Sequence, residues 1–282
     1  MSFIDDVLTF EPDGLRKLNS ITKYPSIMTY HNLGPRGSLV DSLVDDKHFD
    51  KHRSVYITEK IDGTNSRIVF STNNKGEVDD YIIGSREDFL FAKGDRIVNP
   101  ALGIVKNMKN IADVIVLFGE DGAYANLKPN SLYCVYGETY GGKINGAKQY
   151  SGHGNYNVRI FDMWYMTQKD LENIFDMDIE QISSWREHGG QPYVHVDVLG
   201  DFCEKFHMTR VPYIEVATGD YVPFDLQGVW DWMQKYSKSV ATIDNGALGL
   251  SEGVVVRYPD RSLIRKIRFE DYSKTKRLGL IK

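Results

Sequence analysis

The sequence predicts an α+β fold in which antiparallel β-sheets are flanked by helices. Three observations lead to this prediction. Short runs rich in β-branched and aromatic residues recur along the chain, and each is bounded by Gly, Asn or Asp. Segments with helix start and stop signals lie between groups of these runs, and a helix does not follow every predicted strand. The composition, 41% hydrophobic and 26% charged residues, is typical of a globular protein and excludes a disordered one.

The predicted strands are the runs with the strongest β propensity. They cover residues 55–59, 67–70, 80–84, 132–136, 158–163, 193–199, 253–258 and 263–268. In the last run Lys266 and Arg268 stand on alternate positions, so they are expected on one face of a strand. The first run leads into Lys60, and residues 62–65 are expected to turn the chain tightly into the second run as a hairpin.

Capping and stop signals define the predicted helices. Asn99-Pro100 places a cap and a first-turn proline ahead of a helix that reaches about Val114. Thr167 and Asp170 are typical of a capping box before residues 171–175, and glycines end a helix over residues 179–187. Two more helices are predicted, and they cover residues 225–236 and 270–278.

Length, cysteine content and hydropathy limit the function classes. The 282 residues can form one sizeable core, and no repeat or long linker divides them, so we expect a single domain over residues 1–282. The first residues are acidic where a signal peptide is basic, and the longest apolar runs, about five residues, are far too short for a membrane helix. Only Cys134 and Cys203 are present. We therefore expect a cytoplasmic monomer without membrane contact.

Lys60 is the candidate nucleophile. A lysine amine becomes nucleophilic when desolvation or nearby cations lower its pKa, a change that arginine effectively does not allow. The motif Lys60-Ile61-Asp62-Gly63 has an alternative interpretation, because Asp-Gly is also typical of an exposed type I′ hairpin turn beside a solvated lysine. Taken alone, the motif does not decide between the two.

Further blocks follow Lys60 in a defined order. They are Ser85-Arg86, Gly137-Glu138-Thr139-Tyr140-Gly141, Phe161-Asp162, Ser251-Glu252-Gly253 and Lys266-Ile267-Arg268. Together with Lys60-Ile61-Asp62-Gly63 they resemble the motifs of the covalent nucleotidyltransferase superfamily of polynucleotide ligases and capping enzymes, and in particular the phage-type RNA ligase 2 family. Lys60 stands in motif I, Glu138 in motif III, Phe161 in motif IIIa, Glu252 in motif IV, and Lys266 and Arg268 in motif V. The resemblance covers about residues 22 to 270.

The resemblance implies a nucleotidyltransferase (ligase/ATP-grasp-like) domain that is an ATP-dependent RNA ligase. Lys60 would attack the α-phosphate of ATP and carry AMP covalently. AMP would pass to an RNA 5′-phosphate, and a 3′-hydroxyl would then displace it and join the ends. Lys266 and Arg268 would be catalytic and neutralise the α-phosphate. Asp62, Glu138 and Glu252 would hold Mg²⁺ or Mn²⁺ through hard oxygen atoms.

The same resemblance implies a set of nucleotide contacts. Phe161 would stack on the adenine, Glu59 would accept a hydrogen bond from the adenine amino group, and Asn65 would position a phosphate. Arg86 would contact a phosphate or the ribose. The full set of nucleotide-binding residues that the resemblance implies is Glu59, Ile61, Asn65, Arg86, Glu138, Phe161, Glu252 and Lys266.

Several features depart from the family pattern or leave alternatives open. Arg268 stands where motif V usually ends in a second lysine, and Asp62 stands where the phage type often has histidine. Glu120 is a rival for the motif III position of Glu138. Only 14 residues follow Arg268, so we expect no separate C-terminal domain. The alternatives are a minimal ATP-dependent DNA ligase, a GTP-dependent capping-type guanylyltransferase and, as a different class, a non-catalytic module that binds nucleic-acid ends.

Charge is distributed unevenly along the chain. The net charge of −5 by itself argues against a nucleic-acid partner. Residues 257–282, however, carry nine basic and three acidic residues, a balance of +6, which leaves −11 for the rest. The last predicted helix contributes Lys274, Lys276 and Arg277, which we expect to contact the phosphate backbone of RNA in place of the missing domain.

Overall fold

The structure is a computed structural model that describes residues 4, 13–92 and 103–282. The chain groups into two compact units. Unit 1 combines Met1–Ser26, Thr64–Thr139 and Tyr156–Arg210, and unit 2 combines Ile27–Gly63, Tyr140–Asn155 and Val211–Lys282. The expectation of one domain over residues 1–282 stays a prediction.

The described helices and strands confirm the predicted α+β class. The strands are β1 His31–Leu33, β2 Leu39–Leu43, β3 Ser54–Lys60, β4 Thr64–Thr72, β5 Val78–Ser85, β6 Phe89–Ala92, β7 Ser131–Gly141, β8 Tyr156–Thr167, β9 Tyr213–Thr218, β10 Gly253–Arg257 and β11 Ile264–Arg268. The α-helices are α1 Gly14–Thr22, α2 Ile104–Gly119, α3 Gly122–Ala125, α4 Ala147–Tyr150, α5 Gln168–Phe175, α6 Ile179–Glu187, α7 Val196–Lys205, α8 Leu226–Met233 and α9 Phe269–Arg277. The helix start predicted at Asn99-Pro100 lies outside the described residues.

Unit 1 is built on a five-stranded sheet with the order β6-β5-β4-β7-β8. The central strand β4 pairs antiparallel with both β5 and β7. The buried residues of α2 recur at intervals of three or four and pack against the sheet, beside Ile68 and Phe70 of β4. This core fixes the register of β4 against β7, which sets Asn65 directly opposite Glu138.

Unit 2 is built on a four-stranded antiparallel sheet with the order β11-β10-β3-β9. One face of this sheet is apolar and packs against Val229 and Met233 of α8 and Tyr272 of α9. Val254 and Val256 of β10 belong to the same core. Because β10 lies between β3 and β11, it aligns the end of β3, where Lys60 stands, with the end of β11.

The hairpin predicted around Asp62-Gly63 is wrong, because β3 and β4 belong to different sheets. A type I′ turn requires positive φ at both central residues, and neither Asp62 nor Gly63 has one. Instead Ile61 is buried, and the hydroxyl of Tyr150 lies 2.7 Å from the backbone N–H of Asp62. A side chain, and not a cross-strand partner, therefore satisfies the backbone at this point.

The strand predicted over residues 193–199 is also wrong, because α7 begins at Val196. The β-branched residues of this run suggested a strand. The ring of His195 caps the helix by accepting from the N–H of Asp197 at 3.4 Å, and the buried residues Val196, Leu199 and Phe202 repeat every three. The helical period extends beyond the predicted run, to Cys203, and helix packing therefore overrides local β propensity.

Other predictions about the elements are confirmed. Helix α6 has the predicted bounds and a capping box between Asp178 and Gln181, while Thr167 caps α5 with Asp170. The predicted helix 225–236 corresponds to α8, capped by Asp225, and a short 3₁₀ turn Gln234–Tyr236. Strands β1, β2, β6 and β9 were not predicted. None of the helices in the described part of the chain is long and apolar enough to cross a membrane.

Two adjacent substitutions test the helical assignment of α7. Leu199→Ala, at a side chain that is 1% exposed, should lower the free energy of unfolding by about 2–5 kcal/mol. Val198→Ala, at a side chain that is 46% exposed, should lower it by less than about 0.5 kcal/mol. Chemical denaturation of both variants measures the difference. A larger loss for Val198→Ala would instead support the strand, which would bury Val198 with Val196.

Candidate active site

Lys60 lies at the end of β3, in a row of residues that crosses the sheet of unit 2. The register pairs Lys60 with Gly253 of β10, and Gly253 with Arg268 of β11. Residues directly opposite each other in an antiparallel sheet share a face. Lys60 Nζ donates to Glu252 Oε2, and the residue before Gly253 therefore forms an ion pair with the candidate nucleophile.

Gly253 makes this arrangement sterically possible. Its φ of +153° is one that residues with a side chain rarely adopt, and a Cβ there would lie 2.1 Å from the carbonyl oxygen of Ile267. The Glu-Gly pair thus allows β10 to begin close against β11. This approach brings Glu252 to the edge of the sheet where Lys60 ends β3.

Arg268 is held by a partner that the sequence reasoning missed. Its guanidinium donates two hydrogen bonds to Asp271, at 2.9 Å from Nε and 2.8 Å from Nη2, and this pair raises the pKa of Arg268. Its Nη1 also lies 4.0 Å from Glu252 Oε1. Only a planar fork can make such a bidentate contact, so an arginine in this position of motif V fits the aspartate three residues later. The spacing of these two residues, about one helical turn, could have predicted this pairing.

Lys266 lies on the same face as Arg268, as the alternating pattern of β11 predicted. Arg265 and Ile267 are buried on the opposite face, where Arg265 pairs with Asp45 at 3.0 Å. Burial lowers the pKa of Lys266, and the charges of Arg268 and Lys60 lower it further. A half-buried cation beside two others is a strong site for an anion.

Asp62 and Glu252 are the carboxylates of this cluster. Burial raises the pKa of both groups, although the charges of Lys60 and Arg268 act in the opposite direction. A bound cation would favour their ionised forms, and Mg²⁺ typically uses one or two carboxylates together with waters. The two residues therefore fit a divalent metal ion. Within residues 4, 13–92 and 103–282, no group of three or more His, Cys, Asp or Glu residues is arranged to hold a metal.

A glycine-rich segment, residues 141–154, packs against Asp62. A Cβ on Gly146 would lie 2.3 Å from Asp62 Oδ2, and the φ of Gly146 is +74°, so only glycine fits there without strain. The hydroxyl of Tyr150, in the same segment, accepts a hydrogen bond from the backbone N–H of Asp62. The sequence analysis did not predict these contacts. The many glycines in this segment could have indicated a close approach of the backbone to another residue.

Glu59 and Ile61, on either side of Lys60, are buried. The carboxylate of Glu59 accepts hydrogen bonds from Ser239 Oγ at 2.5 Å and from the backbone N–H of Val240 at 2.8 Å. It thereby fixes the chain at residues 239–240 next to the end of β3. The roles of both residues toward a nucleotide stay predictions.

The remaining predicted residues belong to unit 1. Asn65 and Glu138 are directly opposite in the β4–β7 register. The Oδ1 atom of Asn65 is buried and has no hydrogen-bond partner among the residues that the structure describes, which is unusual for a polar atom. The guanidinium of Arg86 is exposed and donates to Ser26 Oγ at 3.1 Å. The rival Glu120 is exposed at the end of α2.

Phe161 lies half-buried on β8 in unit 1. Its ring meets that of Tyr24 edge to face, at a centroid distance of 5.0 Å. Tyr24 also donates to the buried carboxylate of Asp162 at 2.9 Å. Tyr24 therefore contacts both members of the pair Phe161-Asp162, and the ring of Phe161 also stacks with that of Tyr136.

A model of the RNA ligase family matches residues 53–275, which is more than half of the chain. The match includes every predicted site residue. No protein of curated function matches the sequence.

Among solved structures, the chain is similar to the RNA ligase of Naegleria gruberi. A variant without ligand has 12% identity and a TM-score of 0.50, with coverage of 92% of this chain and 58% of that chain. A variant with ATP and Mn has 12% identity and a TM-score of 0.49, with coverage of 92% of this chain and 63% of that chain. The ligase with PPi has 12% identity and a TM-score of 0.48, with coverage of 90% of this chain and 64% of that chain. The chain thus spans less than two thirds of the length of these ligase chains. At this identity, the likeness concerns the fold alone.

Two glycines with the same φ of +74° test the close contact at Asp62. Gly146→Ala should destabilise the protein more than Gly154→Ala, because a Cβ at residue 146 collides with Asp62 whereas nothing lies within 4 Å of one at residue 154. The control should lose only the roughly 1 kcal/mol that a left-handed backbone costs a residue with a side chain. Denaturant unfolding of the two variants gives the comparison. Equal losses would exclude a steric role for Gly146.

Proposed function

The chain belongs to the RNA ligase family, and from this premise we propose that it is an ATP-dependent RNA ligase that acts through a lysyl-AMP intermediate. One observation carries the proposal. Lys60 pairs with Glu252 in a row that also contains Arg268, on the face of the sheet to which Lys266 contributes. A primary amine, a carboxylate that contacts it and two further cations are the groups that nucleotidyl transfer to lysine requires.

In the proposed first step, Lys60 Nζ attacks the α-phosphate of ATP. A bond forms between nitrogen and phosphorus, the bond from the α-phosphorus to the bridging oxygen breaks, and pyrophosphate leaves. The ammonium must lose a proton before it attacks. Glu252 accepts a hydrogen bond from this ammonium, so its carboxylate is placed to accept the proton. Lys266 and Arg268 stabilise the negative charge that develops on the phosphate.

The divalent ion of the proposed reaction is Mg²⁺ or Mn²⁺. Asp62 and Glu252 would hold it, with Glu138 of unit 1 as the third predicted ligand. When bound, it would neutralise phosphate charge and polarise the α-phosphate. On the side of the nucleotide, Asn65, Arg86 and Phe161 are the proposed contacts to phosphate, ribose and adenine, and Glu59 and Ile61 complete the nucleotide set.

The later steps need an RNA with a 5′-phosphate and one with a 3′-hydroxyl. We place part of the RNA contact on α9, which begins directly after Arg268. Its buried side consists of Asp271, Tyr272 and Thr275, while Lys276 and Arg277 are exposed and Lys274 is half-buried. The helix thus directs its basic residues outward. That the protein acts as a monomer in the cytoplasm is part of the same proposal.

Incubation with α-labelled ATP and Mg²⁺, followed by a denaturing gel, tests the covalent step. The wild-type protein should retain the label, and Lys60→Ala should abolish it, because no other residue in the row carries the attacking amine. Lys51→Ala, at an exposed lysine outside the site, is the matched control and should label normally.

Three outcomes would contradict the assignment in different ways. Absence of label from both ATP and GTP would favour a module that only binds nucleic-acid ends. Label from GTP alone would favour a capping enzyme. Sealing of an all-DNA nick without sealing of RNA, in a comparison of RNA, DNA and mixed substrates, would favour a DNA ligase.

Charge reversal on α9 tests its contact with RNA. The triple variant Lys274→Glu, Lys276→Glu and Arg277→Glu should weaken RNA binding and reduce the slope of log K against log salt concentration by about 2, since each lost phosphate contact accounts for about 0.7 with single strands. Reversal of three exposed lysines elsewhere, Lys47, Lys51 and Lys169, is the control. If both triple variants lost the same amount of affinity, α9 would contribute only general charge.

A further inference from the structure

Arg67 is a buried charged side chain of unit 1 that the proposed reaction does not use. It lies on β4, two residues after Asn65, and is 0% exposed. Among the residues that the structure describes, its guanidinium forms no ion pair with a carboxylate, and its Nε atom has no hydrogen-bond partner. Burial of such a charge costs free energy that an apolar side chain at the same position would not cost. The contacts that Arg67 does make therefore indicate its role.

The two terminal nitrogen atoms of the Arg67 guanidinium hold the chain at Arg86. Nη1 donates to the carbonyl oxygen of Arg86 at 3.1 Å, and Nη2 donates to Oδ1 of Asn19 on α1. The amide Nδ2 of Asn19 in turn donates to the carbonyl oxygen of Glu87 at 2.9 Å. One hydrogen-bonded pair of side chains therefore binds two consecutive carbonyl groups.

These two carbonyl groups belong to the connection between β5 and β6, residues 85–88. Within it, the N–H of Ser85 donates to the carbonyl of Asp88 at 2.8 Å, and Ser85 Oγ accepts from two further N–H groups of the connection. None of these bonds uses the two carbonyl groups. Arg67 and Asn19 supply the donors for them, so the connection is held both by its own bonds and by bonds from the protein interior.

Gly84 leaves the space through which Arg67 reaches this connection. The two residues are directly opposite in the β4–β5 register, and a Cβ on Gly84 would lie 2.9 Å from Arg67 Nε and 3.2 Å from its Cγ. A larger residue would therefore displace the guanidinium. Arg67 Cζ also lies 4.9 Å from the centre of the ring of Phe89, the first residue of β6. The guanidinium thus lies against the residues that flank the connection on both ends.

The side chain of Arg86 itself remains accessible. It is 59% exposed, its Nη2 donates to Ser26 Oγ at 3.1 Å, and its Nε lies 3.7 Å from Glu87 Oε1. A guanidinium carries five N–H donors, so these contacts leave donors for a ligand. The backbone of Arg86 is thus held from the interior, while its side chain is open to solvent.

We propose that Arg67, together with Asn19, is a positioning residue that fixes the backbone of residues 86 and 87 and thereby holds Arg86 ready to contact the nucleotide. The proposal rests on the proposed function, since it takes Arg86 to bind a phosphate or the ribose of ATP. A side chain on a fixed backbone loses less conformational freedom when a ligand binds, and binding is tighter as a result. Arg67 acts only through Arg86, because its own side chain is fully buried.

A double-mutant cycle on equilibrium binding tests the proposal. The probe is α,β-methylene-ATP with Mg²⁺, which cannot transfer AMP because carbon replaces the bridging oxygen that must leave. Arg67→Met keeps an unbranched side chain but removes both donors, and the Kd should rise about fivefold or more. In the Arg86→Ala background the same change should alter the Kd by less than about twofold, because the carbonyl of residue 86 is still present but the side chain that it positions is not.

Asn19 provides a second and milder test, since its side chain is only half-buried. Asn19→Ala removes both the donor to Glu87 and the acceptor for Arg67. It should raise the Kd in the same direction, again only when the Arg86 side chain is present. If Arg67→Met prevents folding, the cycle between Asn19 and Arg86 decides alone.

Arg186→Met is the matched control. Arg186 is another buried arginine of unit 1, and it donates to the carbonyl and to the hydroxyl of Ser20, at 2.7 and 3.2 Å. Its replacement should lower the free energy of unfolding, as that of Arg67 does, because each leaves a carbonyl without its donor. The Kd for the probe should nevertheless change by less than about twofold, since the bonds of Arg186 do not hold residues 85–88.

Three results would overturn the inference. An equal rise in Kd for Arg67→Met with and without the Arg86 side chain would mean that Arg67 acts on the fold in general. An unchanged Kd for both Arg67→Met and Asn19→Ala would exclude a positioning role, and an unchanged Kd for Arg86→Ala would remove the contact that is positioned. Absence of the covalent label from α-labelled ATP in the wild-type protein would instead refute the ligase reaction, and the binding cycle would still decide the role of Arg67.

Discussion

The position of Glu252 between two cations is the interaction on which the active-site cluster depends. One carboxylate oxygen accepts from Lys60, and the other faces Arg268. This arrangement exists because β10 lies between β3 and β11, so that the end of β3, the start of β10 and the end of β11 meet at one edge of the sheet. Loss of the close approach at Gly253 would move the carboxylate relative to both cations, even though no charged group would change.

Much of unit 2 follows from local patterns. The alternation in residues 263–268 placed Lys266 and Arg268 on one face, and the short apolar runs located β3 and β10. The hairpin at Asp62-Gly63 could not be excluded by the same means, because the two strands that pair with β3, which are β9 and β10, lie about 160 and about 195 residues further along the chain. Register between distant strands is set by packing, which a local pattern does not contain.

The failures around residues 193–199 and at Asp271 have different physical causes. In the first, β propensity is a weak preference of each residue, and burial of one face of α7 exceeded it. In the second, Asp271 was counted only as an acid opposing a basic segment. Asp271 matters because it orients the Arg268 guanidinium through two hydrogen bonds, and a count of net charge does not describe orientation. The same holds for Glu59, whose hydrogen bonds to residues 239–240 join positions far apart in sequence.

The fork between Arg268 and Asp271 links the identities of two positions. A lysine at residue 268 has no planar pair of donors to match the two oxygens of Asp271, and the mostly buried carboxylate would then lose this bidentate contact. Conversely, loss of the acid would leave an arginine with no fixed orientation next to Glu252. Either substitution alone therefore gives a protein that is less stable or less ordered at this site. Among diverging sequences, the two positions are therefore expected to change as a pair.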